Sequence, residues 1–364
     1  MKKFLIVALS ILLFACSEKQ PGFSIKVQLD GANRKILLER DDGGSLVPVD
    51  TADIVNGVAV LKGAVEYPQE LYLSVLGQRQ KAIIFVENTK MKVVGKADSL
   101  TMIKVTGSVT QDEYQKLRDH VNSVITEYNS VYMEAQNAFA TGDTVKGYGL
   151  LMKVNKIYES IDEIKEDFVK NNPSSYVDPI ILAGIEDGKE ADVLDALVSG
   201  LDPKVQEVPV IVELKKRIEL LKTVAVGQIA PDFTQNDPDG NPVKFSDVYS
   251  KNQVTLLDFW ASWCQPCRAE NPNVVAVFNE YKDKGFGVFG VSLDRDKNSW
   301  LKAIDADKLH WPQVSDLSYW DNTVAQMYAV EEIPTNLLVD KTGKIIAKNK
   351  TEDELRETVA KMLN

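Results

Sequence analysis

Two cysteines separated by Gln265 and Pro266 are the residues of this 364-residue chain best suited to chemistry. Cys264 and Cys267 follow a near-continuous apolar run, Val254-Thr255-Leu256-Leu257-Asp258-Phe259-Trp260, and precede a helical pattern opening at Arg268-Ala269-Glu270-Asn271-Pro272. A Cys-X-X-Cys on the first turn of a helix brings both sulfurs within disulfide reach, and the positive helix N-terminus favours a thiolate. Cys264, nearer the helix start and flanked by Trp263, is expected to be the exposed nucleophile. Cys267, one turn inside, is expected to be the shielded resolving thiol. Exchange then passes through a mixed disulfide on Cys264, which Cys267 breaks. Pro266 restricts the intervening loop at an early helical position, where a missing N–H matters little. A purely structural disulfide is the plain alternative.

Asp258 is the next candidate. An acid inside a run of Val, Leu and Phe is costly to bury without a task or a partner. Desolvation raises its pKa and suits it to accept a proton from Cys267, unless it faces solvent at a sheet edge. Glu270 reads as a solvated helix charge rather than a second titrating group, and His310, ahead of Trp311-Pro312, as structural.

Other chemistry finds little material. His120 and His310 with three cysteines leave too few ligands for a zinc site, and hydrolysis resting on a catalytic histidine lacks candidates. No metal is expected, and no cofactor besides the Cys264–Cys267 disulfide itself. Lys and Arg total 42 against 53 Asp and Glu, a formal charge of −11, so nucleic acid is an unsuitable partner. Hydrophobic residues at 44% and charged residues at 26% describe an ordinary globular mixture.

The elements that position these residues fall into segments. Lys2 and Lys3 precede a short apolar run that ends Leu13-Phe14-Ala15-Cys16, too short to span a membrane. Residues 23–110 alternate apolar and polar positions between turn signals such as Asp41-Asp42-Gly43-Gly44 and Asn56-Gly57, which predicts an antiparallel β domain. Residues 111–222 switch to helical spacing. Leu117, Val121, Val124, Tyr128, Val131 and Ala135 form one stripe, and Leu150, Val154, Ile157, Ile161, Ile164 and Phe168 a second, joined through Thr141-Gly142-Asp143. That pattern predicts an antiparallel helical hairpin, or a seam for a dimer through the helical region. Residues 223–364 alternate strands and helices, which is an α/β pattern with the Cys-X-X-Cys at a strand-to-helix corner.

Three resemblances follow from these motifs. Ala15-Cys16 after the apolar run resembles a bacterial lipoprotein signal, which implies a 1–15 signal peptide, lipid on Cys16, and a chain anchored in the cell envelope and facing the periplasm. Leu71-Tyr72-Leu73, the strand spacing, and Thr106-Gly107-Ser108 leading into a helix are similar to a domain of unknown function that precedes thioredoxin-like domains in Bacteroidetes lipoproteins. Residues 226–364 resemble the TlpA/ResA branch of thioredoxin-like thiol–disulfide oxidoreductases, through Gly227 to Phe233, Leu257 to Cys267, Pro272 and Ile333-Pro334-Thr335.

The last resemblance implies a thioredoxin-like fold and exchange with protein clients that carry disulfides. It makes Asp258 the counterpart of the buried aspartate of thioredoxins. It also makes Pro334 a cis-proline beside the active site, where the Ile333 carbonyl pairs with the client backbone. Trp263, Pro266, Ile333 and Pro334 are thus the expected client-binding residues. Ile333 before the proline resembles reducing members, and a reductase in an oxidising compartment needs a membrane thiol relay as electron donor. Gln265 departs from the acidic residue often found between the cysteines of ResA-like proteins. An isomerase or oxidase, a peroxidase, and a non-enzymatic lipoprotein scaffold are the alternatives. The peroxidase would need a proline ahead of its cysteine, where this chain has Phe259-Trp260-Ala261-Ser262-Trp263.

Overall fold

Residues 22–186 and 189–363 are described by a computed structural model. The 1–15 segment and Cys16 lie outside the described residues. The chain divides between Leu182 and Ala183 into two compact units.

The first unit begins with eight strands, β1 (Phe23–Asp30), β2 (Ile36–Asp41), β3 (Leu46–Ala52), β4 (Ala59–Gly63), β5 (Gln69–Val75), β6 (Lys81–Val86), β7 (Lys90–Lys96) and β8 (Lys104–Thr106). They form two four-stranded sheets ordered β4-β1-β7-β8 and β3-β2-β5-β6. Along β1 Phe23, Ile25, Val27 and Leu29 are buried while intervening residues face outward, the period of a half-buried strand. The Asn56-Gly57 turn places both residues at positive φ, 52° and 75°, which suits the right-handed twist of the strands it joins. Pairing is antiparallel except between β1 and β7, which run parallel. Alternation specifies which face a residue takes but not strand direction, so the parallel pair was not readable from sequence.

Helices α1 (Val109–Ala140), α2 (Thr144–Asn171) and α3 (Asp178–Ala183) follow. Ser108 caps α1, accepting from Gln111 N at 3.0 Å, while Glu87 accepts from Ser108 Oγ and Thr110 N, both at 2.7 Å. α1 and α2 form the hairpin, and its two stripes meet at Val131, Val154 and Ile157, packed with Val124, Tyr128 and Leu150. The predicted seam is therefore used within the chain.

The second unit contains α4 (Ala191–Ser199), α5 (Pro203–Gln206), α6 (Pro209–Thr223), β9 (Thr234–Asn236), β10 (Pro242–Lys244), α7 (Phe245–Tyr249), β11 (Val254–Trp260), α8 (Gln265–Tyr281), β12 (Phe286–Ser292), α9 (Lys297–Asp307), β13 (Gln313–Val314), α10 (Thr323–Met327), β14 (Thr335–Asp340), β15 (Ile345–Lys348) and α11 (Glu352–Leu363). Helices α4 to α6, from the later part of the 111–222 segment, thus fall in the second unit. The reason is physical: Arg217 of α6 pairs with Glu331 at 2.6 Å and Glu186 at 3.0 Å, which ties α6 to the segment that leads into β14.

The central sheet has the order β13-β12-β11-β14-β15, with β11 parallel to β12 and antiparallel to β14. Every residue of β11 and β12 is buried, as expected of strands covered on both faces. Phe259, Trp260, Phe289 and Phe245 are fully buried, each contributing about 1.5–3 kcal/mol through removal from water. The rigid end of β11 is the platform from which the cysteine loop departs.

Candidate active site

Trp260 ends β11 with its indole N–H donating to Gln313 Oε1 at 2.9 Å, and the loop that follows is fastened at once. Ser262 N donates to Asp294 Oδ2 at 3.0 Å, and Ser292 Oγ donates to the same oxygen at 2.8 Å. Asp294 is buried, so these hydrogen bonds hold the corner without competition from water.

Cys264 is the N-cap of α8 and is joined to Cys267 by a disulfide, with Cα atoms 5.3 Å apart. Cys267 N donates to Cys264 Sγ at 3.1 Å. This places Cys264 sulfur at the positive end of α8, where a thiolate gains from the helix dipole and from one aimed N–H. Pro266 occupies the first turn, where it displaces no intrahelical hydrogen bond.

The expectation that Cys264 is exposed is not met in this oxidised form. It is 4% exposed and Cys267 2%, so the two sulfurs are nearly equally covered. The Ile333 carbonyl oxygen lies 3.6 Å from Cys264 Sγ and occupies the approach. The Ile333–Pro334 peptide is cis. Trp263, by contrast, is 41% exposed and forms the open rim.

Asp258 sits on the central strand β11, opposite Gly290 of β12 and Asn336 of β14, and is 7% exposed. It is not at a sheet edge. Burial pushes its pKa up to about 7, and the negative charge of Glu270 adds to the rise. An acid of this strength exchanges protons near neutrality, as a proton acceptor for a thiol must.

Glu270 departs from the reading of a solvated helix charge. It is half-buried, and its Oε1 accepts from Glu352 N at 2.8 Å and Asn273 Nδ2 at 2.9 Å. That carboxylate is held against the start of α11, a contact across 82 positions that helix periodicity does not reveal.

Two further groups escaped sequence reasoning. Tyr319 and Trp320 pack on Trp263 with ring centroids 5.0 and 6.0 Å away, and Arg295 lies over the Tyr319 ring at 4.3 Å. Leu317 and Tyr319 hold φ near 60°, a sparsely populated region for residues with a side chain, so the surroundings determine this platform. The adjacent aromatics between Asp316 and Asn322 were the available signal. The second group is a clamp: Arg268 makes a bidentate ion pair with Asp307, donates from Nη1 to Ser262 O at 3.3 Å, and is joined there by Asn271. Burial alone would raise the Asp307 carboxyl, but the hydrogen bonds from Arg268 and Asn271 and the Arg268 charge outweigh it and hold the group low.

Among the described residues no group of three or more His, Cys, Asp or Glu could hold a metal ion, and no helix is long and apolar enough to cross a membrane.

A dithiol–disulfide pair at the start of a helix, beside a cis-proline and on a five-stranded mixed sheet, defines a thioredoxin-like exchange domain. Comparisons agree. Residues 226–348 match the model of the AhpC/TSA family, and residues 23–114 that of a domain of unknown function, DUF4369. The chain is 31% identical over 137 residues to the thiol–disulfide oxidoreductase ResA of Geobacillus thermodenitrificans, 37% of this chain and 76% of that protein. It is 29% identical over 140 residues to ResA of Bacillus thuringiensis, 38% of this chain and 78% of that protein. Among solved structures it is similar to the thioredoxin domain of a thiol–disulfide oxidoreductase from Bacteroides vulgatus, at 41% identity and TM-score 0.36, covering 38% of this chain and 99% of that one. The chain belongs to the ResA family of thiol–disulfide oxidoreductases.

Proposed function

We propose that this protein is a lipid-anchored envelope reductase of protein disulfides, working through Cys264 and Cys267. The thiolate of Cys264 attacks a client disulfide, forming a Cys264–client bond and releasing one client thiolate. Cys267 then gives its proton to Asp258 and attacks Cys264, re-forming the Cys264–Cys267 disulfide and releasing the second client thiolate. Two electrons pass to the client, and a membrane thiol relay returns them. Trp263, Pro266, Ile333 and Pro334 form the surface that meets the client.

The observation that carries the reducing direction is what surrounds the disulfide. The hydrogen bond to Cys264 Sγ among the described residues comes from a backbone N–H, and the neighbouring cation, Arg268, is engaged by Asp307. Oxidants of this fold are oxidising because their reduced form is stabilised. Here that stabilisation is confined to the α8 N-terminus and one backbone N–H, with the Arg268 charge spent on Asp307, which favours the disulfide and makes the dithiol a donor.

The envelope location rests on the Lys2-Lys3 and apolar segment ending at Cys16, which would carry the anchor. The first unit would position the exchange domain or select partners.

Trapping tests the main reading. Cys267→Ser leaves the nucleophile but removes the group that frees the client, so mixed disulfides on Cys264 accumulate and disappear on reduction. The double variant Cys264→Ser, Cys267→Ser shows none. A correctly localised, reduced Cys267→Ser protein that traps nothing would leave only the scaffold.

A further inference from the structure

A groove of about 800 Å3 runs between α6 and the segments around Trp320 and Ala329 to Glu331 of the second unit. Val210, Leu214 and Leu220 line it from α6, and Trp320, Ala329 and Val330 face them. Its walls are fixed to one another through Arg217 of α6 and Glu331, 2.6 Å apart. Ala329 holds φ at 53°, a conformation that a residue with a side chain adopts only when its surroundings impose it.

The lining of the groove meets the cysteine site at two places. Trp320 lines it and also packs on Trp263, the neighbour of Cys264, with ring centroids 6.0 Å apart. Glu331, on the other wall, lies two residues before Ile333, whose carbonyl meets Cys264 Sγ at 3.6 Å. Val210 is 41% exposed within the groove and Trp263 41% exposed at the rim, so apolar surface is open along this path.

We infer that this groove is a client subsite, occupied by the extended polypeptide that flanks the client cysteine, with an apolar side chain seated against Val210 and Leu214. The inference rests on the reading that Cys264 forms mixed disulfides with protein clients. An extended chain advances about 3.3–3.6 Å per residue, so side chains a few positions from a cysteine bound to Cys264 pass Trp320 and enter the groove. The occupant this selects is an unfolded or loosely folded segment, whose backbone is free to extend away from the cysteine bound to Cys264. Specificity then lies in the residues around the client cysteine rather than in the disulfide alone.

Short peptides with one cysteine, activated as mixed disulfides with thionitrobenzoate, test this on the full-length Cys267→Ser protein. The Cys264 thiolate attacks the peptide sulfur, the bond between the two probe sulfurs breaks, and thionitrobenzoate leaves with the electron pair and is read by its colour. One peptide carries leucines a few positions from the cysteine on either side, a second carries serines there, and cysteine methyl ester carries no flanking chain. The leucine peptide is expected to react about tenfold faster than the serine peptide. Val210→Glu brings that ratio close to one. Val212→Glu, which changes an equally exposed α6 residue (38%) outside the groove, keeps the ratio. A ratio near one in the unaltered groove, a ratio that survives Val210→Glu, or equal loss in both variants overturns the groove as a subsite. Failure of the protein to release thionitrobenzoate even from the cysteine ester overturns the exchange reading itself, which separates the two.

Discussion

The sulfur of Cys264 lies 3.6 Å from the carbonyl oxygen of Ile333, 69 positions further along the chain. This contact joins the start of α8 to the turn before β14, and it covers the sulfur that must be attacked or must attack. In the dithiol the Cys264 S–H can donate to that oxygen. In a mixed disulfide a client backbone N–H can take its place, as in strand addition to a sheet edge. The same carbonyl thus lies over the resting disulfide and offers an acceptor that a client backbone could use.

The first prediction is a potential. With one backbone N–H on Cys264 Sγ and the Arg268 cation engaged by Asp307, the couple should lie near the about −270 mV of thioredoxin rather than the about −120 mV of DsbA. Equilibration against a dithiothreitol or glutathione series measures it. A value near that of DsbA would favour an oxidase.

Asp258 yields a prediction with two readouts. Burial and then Glu270 push its pKa up to about 7, above the about 3.9 of an unfolded aspartate. The folded protein therefore binds the extra proton between those values. Stability is full below about pH 4 and falls as pH rises to about 7, by at most about 4 kcal/mol. Asp258→Asn lacks this slope, so it should match the parent at pH 4 and exceed it at pH 8 in urea titrations. In single-turnover kinetics the same variant should slow release of the mixed disulfide about a hundredfold near neutrality while sparing the initial attack. Equal release rates would reduce Asp258 to a structural group.

How much of this was readable in the sequence varies with the range of the interactions concerned. The run from Val254 to Trp260 announces a strand buried on both faces because no polar residue but Thr255 and Asp258 interrupts it, and β11 is that strand. The hairpin stripes were readable because α1 and α2 bury local, periodic positions. Asp258 was suspect because its neighbours are apolar. By contrast, Glu270 looked solvated, since its anchor is the backbone of Glu352, on a helix far along the chain. Tyr319 and Trp320 reach Trp263 through a loop set by left-handed Leu317 and Tyr319 and by Asn322, which accepts from Val324 N and Ala325 N and donates to Asp316. No local pattern encodes such a loop. The placement of α6 with the exchange domain depends on Arg217 meeting Glu331, again a long-range pairing.

The clamp behind the cysteines gives an acid-side prediction. Burial would raise the Asp307 carboxyl, but Arg268 and Asn271 hold it below its usual range. Its contribution is present above the unfolded pKa and lost as pH falls through the folded one. Asp307→Asn should therefore destabilise the protein by about 1–2 kcal/mol at pH 7, with the difference closing in acid. Arg268 also holds Ser262 O at 3.3 Å, so the variant should loosen the loop before Cys264. Hydrogen exchange at Ser262 and Trp263 would report it, and unchanged protection there would confine the clamp to global stability.

The last prediction separates the two causes of the Asp258 shift. Glu270→Gln removes a negative charge but keeps an oxygen able to accept from Glu352 N and Asn273 Nδ2, so the anchor to α11 survives. Burial, the larger cause, is untouched. The Asp258 carboxyl should then ionise at lower pH than about 7 and still far above an exposed aspartate. If Asp258 takes the Cys267 proton as proposed, release of the mixed disulfide needs it ionised, and the rise of the release rate with pH should move to lower pH by the same amount. Adding Asp258→Asn should abolish that rise in either background. If Glu270→Gln leaves the midpoint where it was, burial alone sets the acidity of Asp258, and Glu270 serves only to fasten α8 to α11.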